Sequence, residues 1–462
     1  MPDIRLNCHR RDPRTARCPP TPPPLYYRLM SDRCLTPLTR PFDLALSPPG
    51  SKSLTNRALV LAALADGRSV LQNVLHADDT AVMINALRQL GFTLDVDEAR
   101  GTVQVTGCAG RVPTEPAELF CGNSGTTLRF LTAMCSLGKG SYTLDGVERM
   151  RQRPIGELGA MLQNLGVRME YPQTKGFPPI RLLAHGLPGG RLHFGAAQSS
   201  QYLSAVLQVA PYARHEVQID LGWPQTSWPY VQMTMRLMDV FGLTPELFRD
   251  PETGRPTRIV VPSDHYRAVD YAVEPDASNA SYFLAAAAIN KDSKITIHNL
   301  GSDSLQGDVA LADLLHQMGA DLVLGRDFIT VVGSGRLTGI DVSMADMPDM
   351  AQTLAVVALF ADAPTTLRDL HTLRVKETDR VAALATELAK LGAAVDIDGD
   401  AMTIRPPDKV TAATIDTYDD HRMAMSFAVA GTRVDGIVIR HAQCVNKTYP
   451  RFFDDFGMLG AG

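Results

Sequence analysis

Glycine recurs in this chain at positions 91, 166, 242, 319 and 392, each time between a helix-like apolar pattern and an alternating one. The segments are LRQLGFTLDVD (87–97), LQNLGVRMEY (162–171), LMDVFGLTPEL (237–247), LHQMGADLVLG (315–325) and LAKLGAAVDID (388–398). Their spacings are 75, 76, 77 and 73 residues. Glycine at such a boundary reads as a helix C-terminus in the left-handed region. The chain is therefore read as a tandem array of units, each with a helix followed by a strand pair. Another copy begins at FFDDFGMLG (452–460), where Gly457 is followed by no strand pair. LTPLTRPFDLALSPPG (35–50) is expected to supply the missing strand.

A second series runs at the same period. SPPGSKSLTNRALVLAAL, CGNSGTTLRFLTAM, AQSSQYLSAVLQVA, EPDASNASYFLAAAA, MPDMAQTLAVVALFA and YDDHRMAMSFAVA each place small or polar residues before an apolar helix. With Gly50, Gly122, Ser199, Asp276, Asp349 and Asp420 as markers, the spacings are 72, 77, 77, 73 and 71. Helices apolar on every side belong inside a domain. Six β-α-β-α-β-β-like units, three per domain, would bring six polar helix N-termini together across a cleft. Free N–H groups and the helix dipole suit such termini to anions.

Composition narrows the class. At 462 residues the chain exceeds one ordinary core, so two domains are expected. A net charge of −5 lacks the basic footprint of a nucleic-acid binder. Apolar runs such as ALVLAALA (58–65) are far below the ~18–20 residues of a membrane span. Seven cysteines without a C-x-x-C pair give no zinc pattern and no disulfide framework, and they point to a reducing cytoplasm. Residues 1–33, rich in Arg and Pro and without a secretory h-region, read as a disordered tail with Met30 as the working start.

The loop residues carry the chemistry. GSKSLTNR places Lys52, Ser53 and Arg57 at one helix start, without the spacing of a Walker A loop. GNSGTTLR brings Asn123, Gly125 and Arg129, and RMRQRPIG brings Arg151 and Arg153, one of which could simply be solvated. Ser199, Ser200, Gln201, Ser227 and Tyr230 offer hydroxyl and amide groups suited to a polyhydroxy molecule. RVKETDR is read as a helix start with Lys376 and Arg380 one turn apart on a shared face, a repulsive spacing unless carboxylates or a bound anion intervene. With Asp349, Glu377, His421, Arg422 and Lys447, cations outnumber carboxylates. That mixture fits anionic substrates and proton transfer. Metal-ligand spacings are absent from the sequence.

PGSKSLTNRAL, GNSGTTLRF, RQRPIGEL, SSQYLSAVL, DASNASYFLAAA, RVKETDR and DDHRMAM, in this order, resemble 5-enolpyruvylshikimate-3-phosphate (EPSP) synthases over about residues 40–455. The resemblance implies an α/β (α+β) fold of two similar domains, each of three β-α-β-α-β-β repeats with buried helices, an inside-out α/β barrel. The expected domains are 34–50 plus 275–462, closed by the N-terminal strand, and 51–274. It implies transfer of the enolpyruvyl group of phosphoenolpyruvate to the 5-hydroxyl of shikimate 3-phosphate in a cytoplasmic monomer. Neither metal nor organic cofactor is implied, nor a nucleic-acid or membrane partner. By the same resemblance, shikimate 3-phosphate is held by Lys52, Ser53, Arg57, Ser199, Ser200, Gln201, Ser227, Tyr230, Asp349, Thr372 and Lys376. Phosphoenolpyruvate falls to Lys52, Asn123, Gly125, Arg129, Arg153, Gln201, Arg380, Arg422 and Lys447. Asp349 is the implied general base, Glu377 an acid/base partner, and Lys52 the third catalytic residue. Glyphosate inhibition is implied too. Thr372 and Phe130 depart from the residues, Asn and Pro, that many members carry there. The competing readings are a UDP-N-acetylglucosamine enolpyruvyl transferase, for which Cys108 and Cys121 lack the reactive-loop context, and a non-catalytic repeat scaffold.

Overall fold

The structure is a computed structural model that describes residues 32–195 and 198–460. The tail expected over 1–33 lies outside the described residues up to 31, and its last residue differs from expectation. Arg33–Cys34 forms a strand, β1.

Six units follow in the order strand, inner helix, strand, outer helix, hairpin, and the sixth ends in the short helix Phe452–Gly457 instead of a hairpin. The glycines that mark the repeat behave as read: Gly91, Gly166, Gly242, Gly319 and Gly392 have φ from +84° to +117°. The six inner helices are α1 (Lys52–Leu64), α2 (Gly125–Cys135), α3 (Ser200–Val209), α4 (Ala277–Ile289), α5 (Ala351–Val357) and α6 (His421–Gly431). Every residue of α2, α4, α5 and α6 is buried, as apolar composition on all sides requires. Burial of one leucine in such a helix contributes about 1.5–3 kcal/mol, and truncation of Leu131 or Leu203 to Ala would cost roughly 2–5 kcal/mol.

Two hydrophobic cores result. One gathers α1, α2 and α3 with residues from Leu54 to Val273; the other gathers Phe42 with α4, α5 and α6 and runs to Leu459. Around each core stand three separate sheets: five sheets of four strands and one of three. No sheet closes into a ring among the described residues, so "inside-out barrel" describes helices within and sheets without.

Sheet pairing reveals an exchange that unit order does not show. Strand β2 (Asp43–Leu46) precedes α1 in the chain, and β3 (Arg68–Gln72) follows α1. Strand β4 (Asp270–Ala272) precedes α4, and β5 (Lys294–His298) follows it. Yet β2 runs parallel to β5, and β4 runs parallel to β3. The chain thus crosses between the two lobes twice. The crossings are bonded to each other: Ser51 N donates to Glu274 O and Asp276 N to Pro49 O, both at 2.8 Å. One carboxylate then caps two helices, because Asp276 accepts from Lys52 N (3.0 Å) and from Asn279 N (2.9 Å). Residues 35–50 accordingly complete the fourth unit's sheet. The sixth unit is closed by β1, antiparallel to β6 (Val438–Ile439).

Candidate active site

The first residues of five inner helices line one small cavity between the lobes: Lys52 of α1, Gly125 and Thr126 of α2, Gln201 of α3, Asp349 in the 3₁₀ turn before α5, and Arg422 of α6. Asp79, Arg153, Lys376, Glu377 and Arg380 complete it. The N-terminus of α4 is the exception among the six expected to converge; it is taken up by the crossing at Asp276. Five cations and three carboxylates meet around a space of about 20 Å³, room for about one water.

The ions are arranged in pairs. Arg380 is fully buried and donates to three carboxylates: to Asp420 at 2.8 Å, Glu377 at 2.9 Å and Asp349 at 3.0 Å. Asp349 also meets Arg422 (3.0 Å) and Lys376 (3.4 Å). Burial alone would raise the Asp349 carboxyl, but Arg422, Lys376, Arg380 and Lys52 outweigh it and hold the group well below the usual carboxylate range. Glu377 behaves likewise: burial opposes the charge, and Arg380, Arg153 and Lys447 more than restore it. Both carboxylates are therefore ionised at neutral pH and able to accept a proton. His421 is the opposite case. Burial first, then Arg422 and Lys52, push it well below the ordinary histidine range, and both its ring nitrogens are buried without partners.

RVKETDR does not form one helix turn. The helix begins at Arg380, capped by Asp379, which accepts from Ala382 N at 3.1 Å. Lys376 lies before it, at the end of the 3₁₀ turn His371–Val375. The two cations share Asp349 Oδ1 rather than a helix face.

On the opposite wall, Asp79 joins Lys52 (3.3 Å) to Lys447 (2.6 Å), and Lys447 also donates to Asn123 O at 2.9 Å. Arg153 donates to Asn123 O (3.1 Å) and lies 3.9 Å from Glu377. Gly125 lets that guanidinium in; a Cβ there would stand 2.7 Å from Arg153 Nη2. Arg129 does not line the cavity. It donates to Gln201 Oε1 at 2.6 Å and so orients an amide that does.

The hydroxyl-rich side is built around Arg57, buried and paired with neutral oxygens: Thr234 Oγ1 at 2.7 Å, Ser53 O at 2.9 Å, and Ser204 Oγ and Tyr230 O at 3.3 Å. Burial lowers its pKa to about 10. Phe130 packs under it, ring centroid 5.2 Å from the guanidinium carbon, so this departure from the family pattern faces Arg57. Ser199 caps α3, with Ser200 buried beside it. Ser227 has a left-handed backbone (φ 55°) and donates through N–H to Ala345 O of the other lobe at 2.7 Å. Tyr230 donates to Asp308 at 2.8 Å. The Thr372 hydroxyl is buried without a partner and does not line the cavity.

Asp79, Thr126, Asp308 and Arg149 are not singled out by the sequence, which marks Asp276 and Asp420 only as helix starts of the repeat, without a role in the site. Asp79 and Asp420 sit where an acidic residue also reads as an ordinary cap or first-turn charge. Among the described residues, no three His, Cys, Asp or Glu side chains group as metal ligands, and no helix is long and apolar enough to cross a membrane.

Comparison with known proteins bears on the family and the fold. The family model for EPSP synthase (3-phosphoshikimate 1-carboxyvinyltransferase) matches residues 40–456. A 3-phosphoshikimate 1-carboxyvinyltransferase of Trichormus variabilis is 42% identical over 91% of this chain and 97% of its own length. A chloroplastic one from Arabidopsis thaliana is 45% identical over 88% of this chain and 80% of its own. Among solved structures, EPSP synthase from Acinetobacter baumannii superposes with a TM-score of 0.77 at 25% identity, covering 93% of this chain and 98% of that one.

Proposed function

The chain belongs to the EPSP synthase family, and we propose that the cavity between its lobes is where it carries out that family's reaction. The reaction moves the enolpyruvyl group of phosphoenolpyruvate to the 5-hydroxyl of shikimate 3-phosphate and releases phosphate, a step towards chorismate and the aromatic amino acids. One observation carries the assignment of residues: Asp349 and Glu377 face the same cavity from opposite sides of Arg380, among the N-termini of helices from both lobes.

Asp349 is the base that takes the 5-hydroxyl proton as that oxygen attacks C2 of phosphoenolpyruvate. Glu377, ionised in the empty cavity, takes up a proton as the anionic substrates bind, delivers it to C3 as the tetrahedral intermediate forms and takes one back from C3 as the C–O bond to phosphate breaks, while the proton taken by Asp349 leaves with the phosphate. Arg153, Arg380, Arg422, Lys52 and Lys447 hold the phosphate and carboxylate of phosphoenolpyruvate, with Gln201 and Asn123 beside them. Arg129 acts through Gln201. Shikimate 3-phosphate is assigned Lys52, Ser53, Arg57, Ser199, Ser200, Gln201, Ser227, Tyr230 and Lys376, with Thr372 near it. An anion bound to Arg380 and Arg422 relieves the pull that keeps Asp349 a weak base, so substrate binding itself strengthens the base.

The two hydrophobic cores support domains of 34–50 plus 275–462 and 51–274. We assign the protein to the cytoplasm as a monomer; the cysteines among the described residues are all free. The UDP-N-acetylglucosamine reading lacks a nucleophile. Cys108 and Cys121 are outside the cavity, and burial pushes the Cys121 thiol up to about 12. Phosphate release from phosphoenolpyruvate, measured with shikimate 3-phosphate, with UDP-N-acetylglucosamine and with neither, tests the assignment; release with shikimate 3-phosphate alone is expected, and release with the sugar nucleotide overturns it.

A further inference from the structure

Arg149, Arg151 and Arg153 alternate along one short stretch and go three separate ways. Arg151 turns outward to Asp145 at 2.5 Å. Arg153 enters the cavity. Arg149 reaches across the cleft, where its Nε donates to Lys376 O (3.2 Å) and Glu377 O (3.1 Å) and its Nη2 to Lys376 O (2.8 Å). Its Nη1 donates to Gln152 Oε1 at 3.2 Å, which braces the guanidinium against its own turn.

Residues 376–378 join the 3₁₀ turn His371–Val375 to the helix that begins at Arg380, and they belong to neither. No helical ladder fixes their carbonyls. The fork of Arg149 does so from the other lobe, with the planar geometry that lets one guanidinium serve two acceptors. Glu377 is consequently gripped twice from one turn: Arg149 holds its backbone and Arg153 approaches its carboxylate.

We propose that Arg149 is a positioning residue, which places the Glu377 carboxylate for proton transfer when the lobes are closed by donating to the Lys376 and Glu377 carbonyls. This rests on the assignment of Glu377 as acid/base partner. A proton donor displaced by about 1 Å loses on the order of a hundredfold in rate. The coupling ties the proton step to closure, when water is excluded.

A double-mutant cycle on the full chain tests it: Arg149→Ala, Glu377→Gln and the pair, with kcat and the KM of each substrate. Arg149→Ala is expected to lower kcat roughly ten- to a hundredfold with smaller changes in KM, and to add little once Glu377 is Gln. Arg149→Lys, which keeps the charge but loses the fork, should fall between wild type and Ala and guards against an unfolded Ala variant. Higher KM values at unchanged kcat would make Arg149 a mere latch and overturn the proposal. Losses that multiply in the double variant would overturn it as well while leaving Glu377 in its role. Normal turnover by Glu377→Gln would instead overturn the reading beneath it.

Discussion

A carboxylate surrounded by Arg422, Arg380 and Lys376 serves two purposes that one substitution can separate. As the assigned base, Asp349 is needed for chemistry; as a counter-ion, it competes with anionic substrates for the same cations. Asp349→Ala is therefore expected to lower kcat by roughly 10²–10⁴ while shikimate 3-phosphate binds as well as before or more tightly. Calorimetry beside steady-state kinetics decides, and near-normal turnover would remove Asp349 from its role. Asp308 offers a second test at this scale. It is buried beneath Tyr230 and Ser278, and burial, with Asp349 nearby, raises its pKa from 3.8 to about 6. A raised carboxyl pKa gives stability that is complete below the unfolded value and is lost as pH rises through about 6. Asp308→Asn should accordingly stabilise the fold at pH 8, by at most on the order of 3 kcal/mol, and do so less at pH 4.5. Thermal unfolding at the two pH values reads the difference, and an equal shift at both would show that charge is not the cause.

At the scale of elements, what could be read from sequence was what repeats locally. The inner helices, their capping residues and the left-handed glycines follow from patterns within about 15 residues, and they lie where expected. Strand exchange between β2 and β4 was not legible, since both strands fit the same local pattern and pairing is settled between residues some 200 to 250 apart. RVKETDR was misread because the Asp379 cap, rather than the apolar periodicity after it, sets where the helix begins. Lone charges such as Asp79 and Arg149 carry no periodic signal, and only tertiary contact distinguishes them from solvated ones. The N-terminus of α2 shows what such contact changes. In Gly125→Ala the added methyl would stand against the Arg153 guanidinium, 2.7–3.1 Å from its atoms. The guanidinium has to give way, at a cost of ~1–3 kcal/mol for a tight site. Phosphoenolpyruvate is expected to lose affinity too; if glyphosate occupies the same site, as the family resemblance implies, the longer molecule should lose more, and its inhibition constant should rise further than the KM. Equal rises would trace the effect to displaced Arg153 rather than to the methyl's bulk.

For the whole molecule, the lobes meet through polar contacts between two separate cores: Lys447 with Asp79, Arg149 with the 376–377 carbonyls, Tyr230 with Asp308, Thr226 with His371, and Ser227 with Ala345. Among the described residues the two cores stay separate, with Leu305 of one lobe packed against the core of the other, and interfaces of this largely polar kind leave relative motion as the default. Cations alone around the cleft would hold its walls apart when it is empty. In the structure Asp79, Asp349 and Glu377 neutralise much of that charge, so that five cations face three carboxylates in a space too small for either substrate. Entry is therefore expected to move the lobes apart about the two crossings, which the Gly50–Pro275 bridge joins, and a phosphorylated ligand supplies the negative charge the closed cleft still lacks. The expected result is that free protein scatters as the more extended particle and that saturating shikimate 3-phosphate compacts it. Because the balance is set between charges, the ligand concentration needed for half of the compaction should rise with salt. Scattering profiles with and without shikimate 3-phosphate at two ionic strengths measure both effects. An unchanged radius at saturation would mean that the lobes admit substrate by local side-chain movement instead of hinge motion.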